Sequence, residues 1–207
     1  MLSLLLSSLV LAADSGPPKL ELSIQGGWTA ANDPRYDILS SADVLGGLGL
    51  RAGVRVHPRV AVVLDWQRGG SLLWNYNGSS SDYYGNSGFN SSFTVDQIGV
   101  GVLGDLKVGS WFRPYATVQG VLGVESLRLD DDPDHDDNST QVHETGVGGG
   151  VYGAVGVEFR IPLGKSGLAL APYTEWGGSY LSDAKLGQVG AVSFGGFAGR
   201  AGIGLRF

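Results

Sequence analysis

No cysteine occurs among the 207 residues, which removes disulfide frameworks, cysteine-ligated zinc sites and thiol nucleophiles together. Charge is scarce as well: Asp, Glu, Lys and Arg make up 16% of the chain, against about a quarter in an ordinary soluble protein. The net charge is −6, and no basic patch interleaved with aromatics exists, so nucleic acid is excluded as a partner. Lysine, which keeps exposed strands soluble, is nearly missing. No apolar stretch approaches the ~18 residues of a membrane-spanning helix, so an α-helical membrane protein is excluded. Helical periodicity is almost absent too.

Glycine, by contrast, is plentiful at 35 residues, with neither a collagen period nor linker-like clustering. Hydrophobic residues make up 43% of the chain. Met1–Ala12 reads MLSLLLSSLVLA and is followed by AADSGPP. An apolar run of this length before small residues is the pattern of a secretory signal peptide. The expected organisation is a signal peptide over residues 1–12, or alternatively to about residue 18, and one domain over residues 19–207.

Period-2 alternation predicts eight strands: Leu20–Thr29, Val44–Val56, Val60–Arg68, Phe93–Leu106, Phe112–Leu129, Thr145–Ile161, Gly167–Gly177 and Val192–Phe207. Three connections are short, near His57–Arg59, Lys107–Ser110 and Pro162–Ser166, and they alternate with four long ones. This rhythm predicts an all-β fold, an eight-stranded antiparallel up-and-down transmembrane β-barrel with four long outer loops and three short periplasmic turns. Each strand has the ~10 residues needed to cross a bilayer at a tilt of ~45°.

The two strand faces decide what surrounds the barrel. One face carries mixed charges: Glu21, Arg51, Arg55, Asp65, Glu125, Glu158, Arg160, Glu175, Arg200 and Arg206. The other is built of Leu, Val, Ile, Gly, Ala and aromatics. Facing water, it would exceed the few hundred Å² of contiguous apolar surface that soluble monomers tolerate. Facing lipid, it is at home, because barrel closure pairs every backbone polar group. The charged face then points inward, into an interior that eight strands leave only wide enough for side chains. Near-balance of sign is expected there, since an unpaired buried charge is costly. Trp28, Trp66, Trp111 and Trp176 are expected at strand ends as an interfacial aromatic girdle. A soluble lipocalin-like carrier has one motif in its favour, Gly26-Gly27-Trp28.

The closing residues, Arg200-x-Gly202-x-x-Leu205-x-Phe207, resemble the β-signal of bacterial outer-membrane proteins. Everything after the signal peptide, expected as one outer-membrane-type domain over residues 19–207, is similar to small porin-family barrels of the OmpA, OmpX, OmpW and opacity-protein type, as the barrel alone. The resemblance implies a Gram-negative cell envelope, residence in the outer membrane, and reading of Arg200, Gly202, Leu205 and Phe207 by the outer-membrane insertion machinery. It further implies a monomer in contact with the lipid bilayer and lipopolysaccharide.

Three loop features could carry further chemistry. The run Asp130–Asn138 contains Asp130, Asp131, Asp132, Asp134, Asp136 and Asp137. Its sixth and twelfth positions are His135 and Gln141, not the Gly and Glu of an EF-hand, leaving a looser divalent-cation site or a cation bridge to lipopolysaccharide phosphates as the candidate. His143 and Glu144 adjoin, with Ser139 close by, a set similar in type to the His–Ser–Glu of outer-membrane lipid A deacylases but without their His-x-Ser pattern. Trp74, Tyr76, Tyr83, Tyr84 and Phe89, set among Asn, Ser and Gly, have the composition of an adaptable recognition surface for an extracellular ligand. Gly148–Gly153 matches G-x-G-x-x-G but leads into no helix, so a dinucleotide site is rejected. The sequence implies no cofactor and no catalytic centre. Its expected role is structural or in surface interaction: envelope integrity, adhesion or ligand recognition by the outer loops. The alternatives are a narrow channel or hydrophobic-ligand transporter of the OmpW-like type, and a lipid A-modifying enzyme.

Overall fold

In β1 (Lys19–Ala31), Glu21, Ser23, Gln25 and Thr29 are buried while Leu22, Ile24 and Trp28 are exposed. That inversion of the soluble pattern recurs along every long strand. The structure, a computed structural model, describes residues 19–31, 44–70, 90–108, 111–130, 141–164, 167–187, 190–193 and 195–207. The expected signal peptide lies outside the described residues.

Five further strands follow in a meander: β2 (Val44–His57), β3 (Val60–Gly70), β4 (Asn90–Asp105), β5 (Phe112–Asp130) and β6 (Gln141–Phe159). A two-residue strand, β7 (Ile161–Pro162), lies in the third short turn against β8 (Ala169–Leu181). Gly164 and Gly167 in that turn have φ of 73° and 78°, a left-handed backbone that residues with a Cβ rarely adopt. A small hairpin, β9 (Ala184–Leu186) and β10 (Gly190–Val192), precedes the last strand, β11 (Gly196–Arg206). Neighbouring barrel strands pair antiparallel, and β11 pairs with both β8 and β1. The seam runs from Glu21↔Arg206 to Ala31↔Gly196, with the Phe207 amide donating to the Leu20 carbonyl at 3.0 Å. The barrel is therefore closed, with β1 to β6, β8 and β11 as its eight staves.

The outer wall is a band of Leu, Ile, Val and aromatic side chains: Ile24, Leu48, Val100, Val118 and Val155 are each more than half exposed. Polar groups mark its upper edge, with Arg68 and Asp96 paired at 3.9 Å outside β3 and β4, and Thr145 and His143 outside β6. Below, Trp111 stacks on Phe159 at 5.6 Å, with Phe112 against the same ring. Trp28 and Phe197 meet at 5.5 Å across the seam near its upper end. Trp66 and Trp176, expected at strand ends, lie further in: Trp66 pairs with Leu50 and Ile98 one row below Arg68, and Trp176 sits two rows below Tyr180. In a closed barrel the tilted strands start and stop at different heights, so a position along one strand does not give a depth in the wall.

Strand boundaries also differ from the sequence expectation by up to four residues, with β6 starting at Gln141 rather than Thr145 and β8 running on to Leu181 rather than Gly177. The last strand starts at Gly196 rather than Val192, and residues expected in a polar loop form the β9–β10 hairpin. Ala184, Leu186 and Val192 are fully buried, so the hairpin folds over the upper mouth instead of standing in solvent.

Candidate functional site in the barrel interior

Inward-facing side chains fill the lumen in layers. The lowest, level with the short turns, holds Glu21, Asp105 and Glu158 among four arginines. Arg55 donates to Glu21 Oε1 at 2.8 Å and lies 2.9 Å from Asp105 Oδ2. Arg113 reaches the same Asp105 oxygen at 3.2 Å. Arg160 Nε donates to Glu158 Oε1 at 2.6 Å, and Arg206 donates to Glu158 and pairs with Glu21 at 3.3 Å. Ala61, Val63 and Leu103 separate this layer from the next.

The middle layer is organised by Arg51. Its guanidinium forks both ways, donating to Asp65 at 2.8 and 3.1 Å and to Glu175 at 3.0 and 2.8 Å. Glu175 also accepts from the hydroxyls of Tyr115 at 2.8 Å and Tyr152 at 3.0 Å. Arg200 lies 3.6 Å from Glu175 and 3.7 Å from Asp65, with its guanidinium 3.9 Å above the Tyr152 ring. Gln119 donates to Asp65, and Tyr173 donates to Gln25 Oε1 at 2.7 Å. Glycines make the room. A Cβ on Gly156 would stand 2.6 Å from the Tyr115 ring, and one on Gly202 2.7 Å from the Tyr173 ring. Such planar forks suit arginine, not lysine, because one guanidinium can satisfy two carboxylates at once.

The upper layer is apolar. Leu45, Phe93, Val95, Val121, Leu127 and Leu181 from the wall meet Leu186 and Val192 from the hairpin. Glu125 lies among them, fully buried, with neither carboxylate oxygen hydrogen-bonded.

The structure thus groups Glu21, Arg55, Glu158, Arg160 and Arg206 at the bottom and Arg51, Asp65, Glu175 and Arg200 in the middle, and sets Glu125 apart above them. Sequence reasoning missed Asp105 and Arg113, which complete the lower layer. Their inward parity with Leu103 and Tyr115 was the signal, obscured by the turn and by Pro114 beside them. The interior tyrosines and glutamines were missed too, since their polar ends gave no charge to count.

Of the other sequence candidates, Arg200 and Arg206 face the lumen, while Leu205 and Phe207 face outward. The six-aspartate candidate cation loop lies outside the described residues from Asp131 to Asp137, as do His135, Ser139 and the aromatics Trp74 to Phe89. Among the described residues no cluster of three His, Asp or Glu could hold a metal. His143 and Glu144 adjoin in sequence but point to opposite walls, His143 outward and Glu144 toward the hairpin's Gly187. As neighbours on one strand they cannot share a proton. Gly148–Gly153 lies in mid-strand in β6. On the outer wall, Ile24, Leu50, Leu64, Trp66 and Ile203 border an apolar groove of about 720 Å³.

No protein-family model matches the chain, and no curated protein matches it in sequence. Among solved structures it is similar to a major outer membrane protein from Thermus thermophilus, at 13% identity over 91% of this chain and 99% of that one, TM-score 0.49. Ail, the attachment invasion locus protein of Yersinia pestis, in complex with the heparin analogue sucrose octasulfate, is similar at 13% identity, 93% and 100% coverage and TM-score 0.48. Neisserial surface protein A is similar at 17% identity, 91% and 95% coverage and TM-score 0.47. The likeness is one of fold. Independently of it, a closed antiparallel eight-stranded barrel with an apolar outer band and a packed polar lumen is the architecture of bacterial outer-membrane barrels.

Proposed function

We propose that this chain works as a closed membrane anchor in the bacterial outer membrane, a rigid barrel whose business is conducted by its outer loops. The observation that carries this is the filled lumen. Two ion-paired layers and an apolar layer succeed one another from the lower turns to the hairpin, and Glu175, Gln119 and Tyr152 at mid-height are at most 1% exposed. A path for solute through the middle layer would have to break the Arg51 fork, which holds two carboxylates with four hydrogen bonds. Arg200, Gly202, Leu205 and Phe207 serve in this reading as the label by which the insertion machinery takes up the last strand. The aromatic and acidic outer segments supply the recognition surface, for adhesion, envelope integrity or a bound ligand.

Planar-bilayer recording of the purified protein tests the anchor reading. The expected result is no ohmic step of porin size at neutral pH. Stable steps of that size would replace the anchor with a channel.

A further inference from the structure

Glu125 takes no part in that reading, and nothing in the ion-paired layers explains it. It lies on β5 above the row in which Val124 pairs with Asp96, beyond the upper edge of the apolar band. Its direct partner across the β5–β6 ladder is Gly146. A Cβ on Gly146 would meet Ala184 Cβ at 3.0 Å and Leu186 Cδ2 at 3.2 Å, so β9 lies directly over the Glu125–Gly146 pair. The hairpin is held down by Leu186, Ala184 and Val192 in the apolar layer. Polar ties join it to the wall at its root, where Ser182 exchanges hydrogen bonds with Gly149 at 2.9 and 3.0 Å and Ser193 donates to the Leu181 carbonyl at 2.8 Å.

No positive group faces Glu125 in this layer among the described residues. The hairpin root brings Asp183 and β6 brings Glu144, both of like sign, while Lys185 is exposed on the hairpin. Inward positions of β1, β2, β3, β4, β8 and β11 above the middle layer carry no titratable side chain, and β10 has none. The inward arginines of the layer below, Arg51 and Arg200, are engaged there with Asp65, Glu175 and the Tyr152 ring. An ionised carboxylate placed here is a buried charge without partner, which only protonation or hydration relieves.

We propose that Glu125 is a proton-operated latch for the β9–β10 hairpin: protonated, it lets the hairpin close the upper mouth, and ionised, it releases the hairpin and admits water to the upper layer. Burial, with the charge of Asp183 adding, pushes the Glu125 carboxyl up to about 8 in the closed form. In the open, hydrated form it titrates in the ordinary carboxylate range. The closed form therefore binds the proton more tightly. Its advantage is complete below that ordinary range and declines as pH rises toward 8, above which it is constant.

The chain has no cysteine, so Leu186→Cys places a single thiol at the buried face of the lid. In liposomes, labelling by a membrane-impermeant maleimide is measured at about pH 5.5 and about pH 8.5, and normalised to the exposed site in Lys185→Cys to remove thiol ionisation. The normalised rate is expected to rise at least ~10-fold between the two pH values, one pK unit of linkage, and the rise is expected to vanish when Glu125→Gln is added. A flat ratio, or a rise that survives Glu125→Gln, overturns the latch. Because trimming Leu186 loosens the lid by itself, hydrogen exchange of the β9 and β10 amides in the unsubstituted chain is the companion measurement. Protection that falls at the higher pH, beyond the intrinsic rate change, supports the latch, and pH-independent protection overturns it. The anchor reading is separable: it rests on the Arg51 fork of the middle layer and falls if porin-sized conductance appears at neutral pH, whatever the hairpin does.

Discussion

Glu175 and Glu125 are both wholly buried carboxylates on the inner wall of the same barrel, yet their surroundings have almost nothing in common. Glu175 accepts two hydrogen bonds from Arg51 and one each from Tyr115 and Tyr152, with Arg200 within 3.6 Å. Glu125 accepts none and is walled by leucine, valine and phenylalanine. The difference teaches how one lumen can be rigid in its middle and releasable at its top. A charge with every lone pair occupied locks its neighbours in place, because any movement strands a partner. A charge with no partner makes its closed state conditional on a proton.

The sharpest way to break this comparison is at its well-paired end. Glu175→Ala leaves Arg51 and Arg200 short of a carboxylate, and we expect a loss of about 3–5 kcal/mol, as for other buried pairs cut on one side. It would be read from the urea midpoint in liposomes, or from the temperature at which the compact band unfolds on unboiled gels. A variant as stable as the parent would show that the middle layer is not the lock. At the other carboxylate the sign reverses. Glu125→Met removes an unsatisfied buried group at nearly constant volume, so stability at neutral pH should rise by about 1–3 kcal/mol, with the lid closed at alkaline pH as well. Smallest of all is the outer-wall pair: Arg68→Ala, opposite Asp96 at 3.9 Å and half exposed, should cost less than about 0.5 kcal/mol in the same unfolding assay. A larger loss there would mean that the surface pair, not the lumen, carries stability at that height.

The strands were legible in the sequence because lipid on one side and lumen on the other impose strict alternation on each strand separately. Leu20–Thr29 can be read without knowing its neighbours. The pairing inside the lumen was not legible, because Arg51 finds Glu175 across 124 positions of chain, and which residues share a layer depends on the stagger of strands around the closed barrel. Inward charges were visible one by one, whereas the isolation of Glu125 emerges only when the upper ends of β2, β4, β5 and β8 are brought together. The hairpin was hidden for a different reason. Ala184-Lys185-Leu186 and Gly190-Ala191-Val192 are alternations of three residues each, too short to stand out from the loop around them. Asp105 and Arg113 fell beside a turn, where counting parity along a strand loses its footing.

The β1–β11 seam has a consequence in time. Its eleven residue pairs, from Glu21↔Arg206 to Ala31↔Gly196, join the first described strand to the last. The pairings among β1 to β8 can form without β11, but this seam and the β8–β11 ladder both wait for it. Until then the sheet has two raw edges, each a row of unpaired amides and carbonyls open to any stray strand. Contacts so distant in sequence are slow to find one another. The assembling barrel is therefore most vulnerable in the interval just before its last strand docks, and a delay confined to β11 would be felt as aggregation of an otherwise finished sheet.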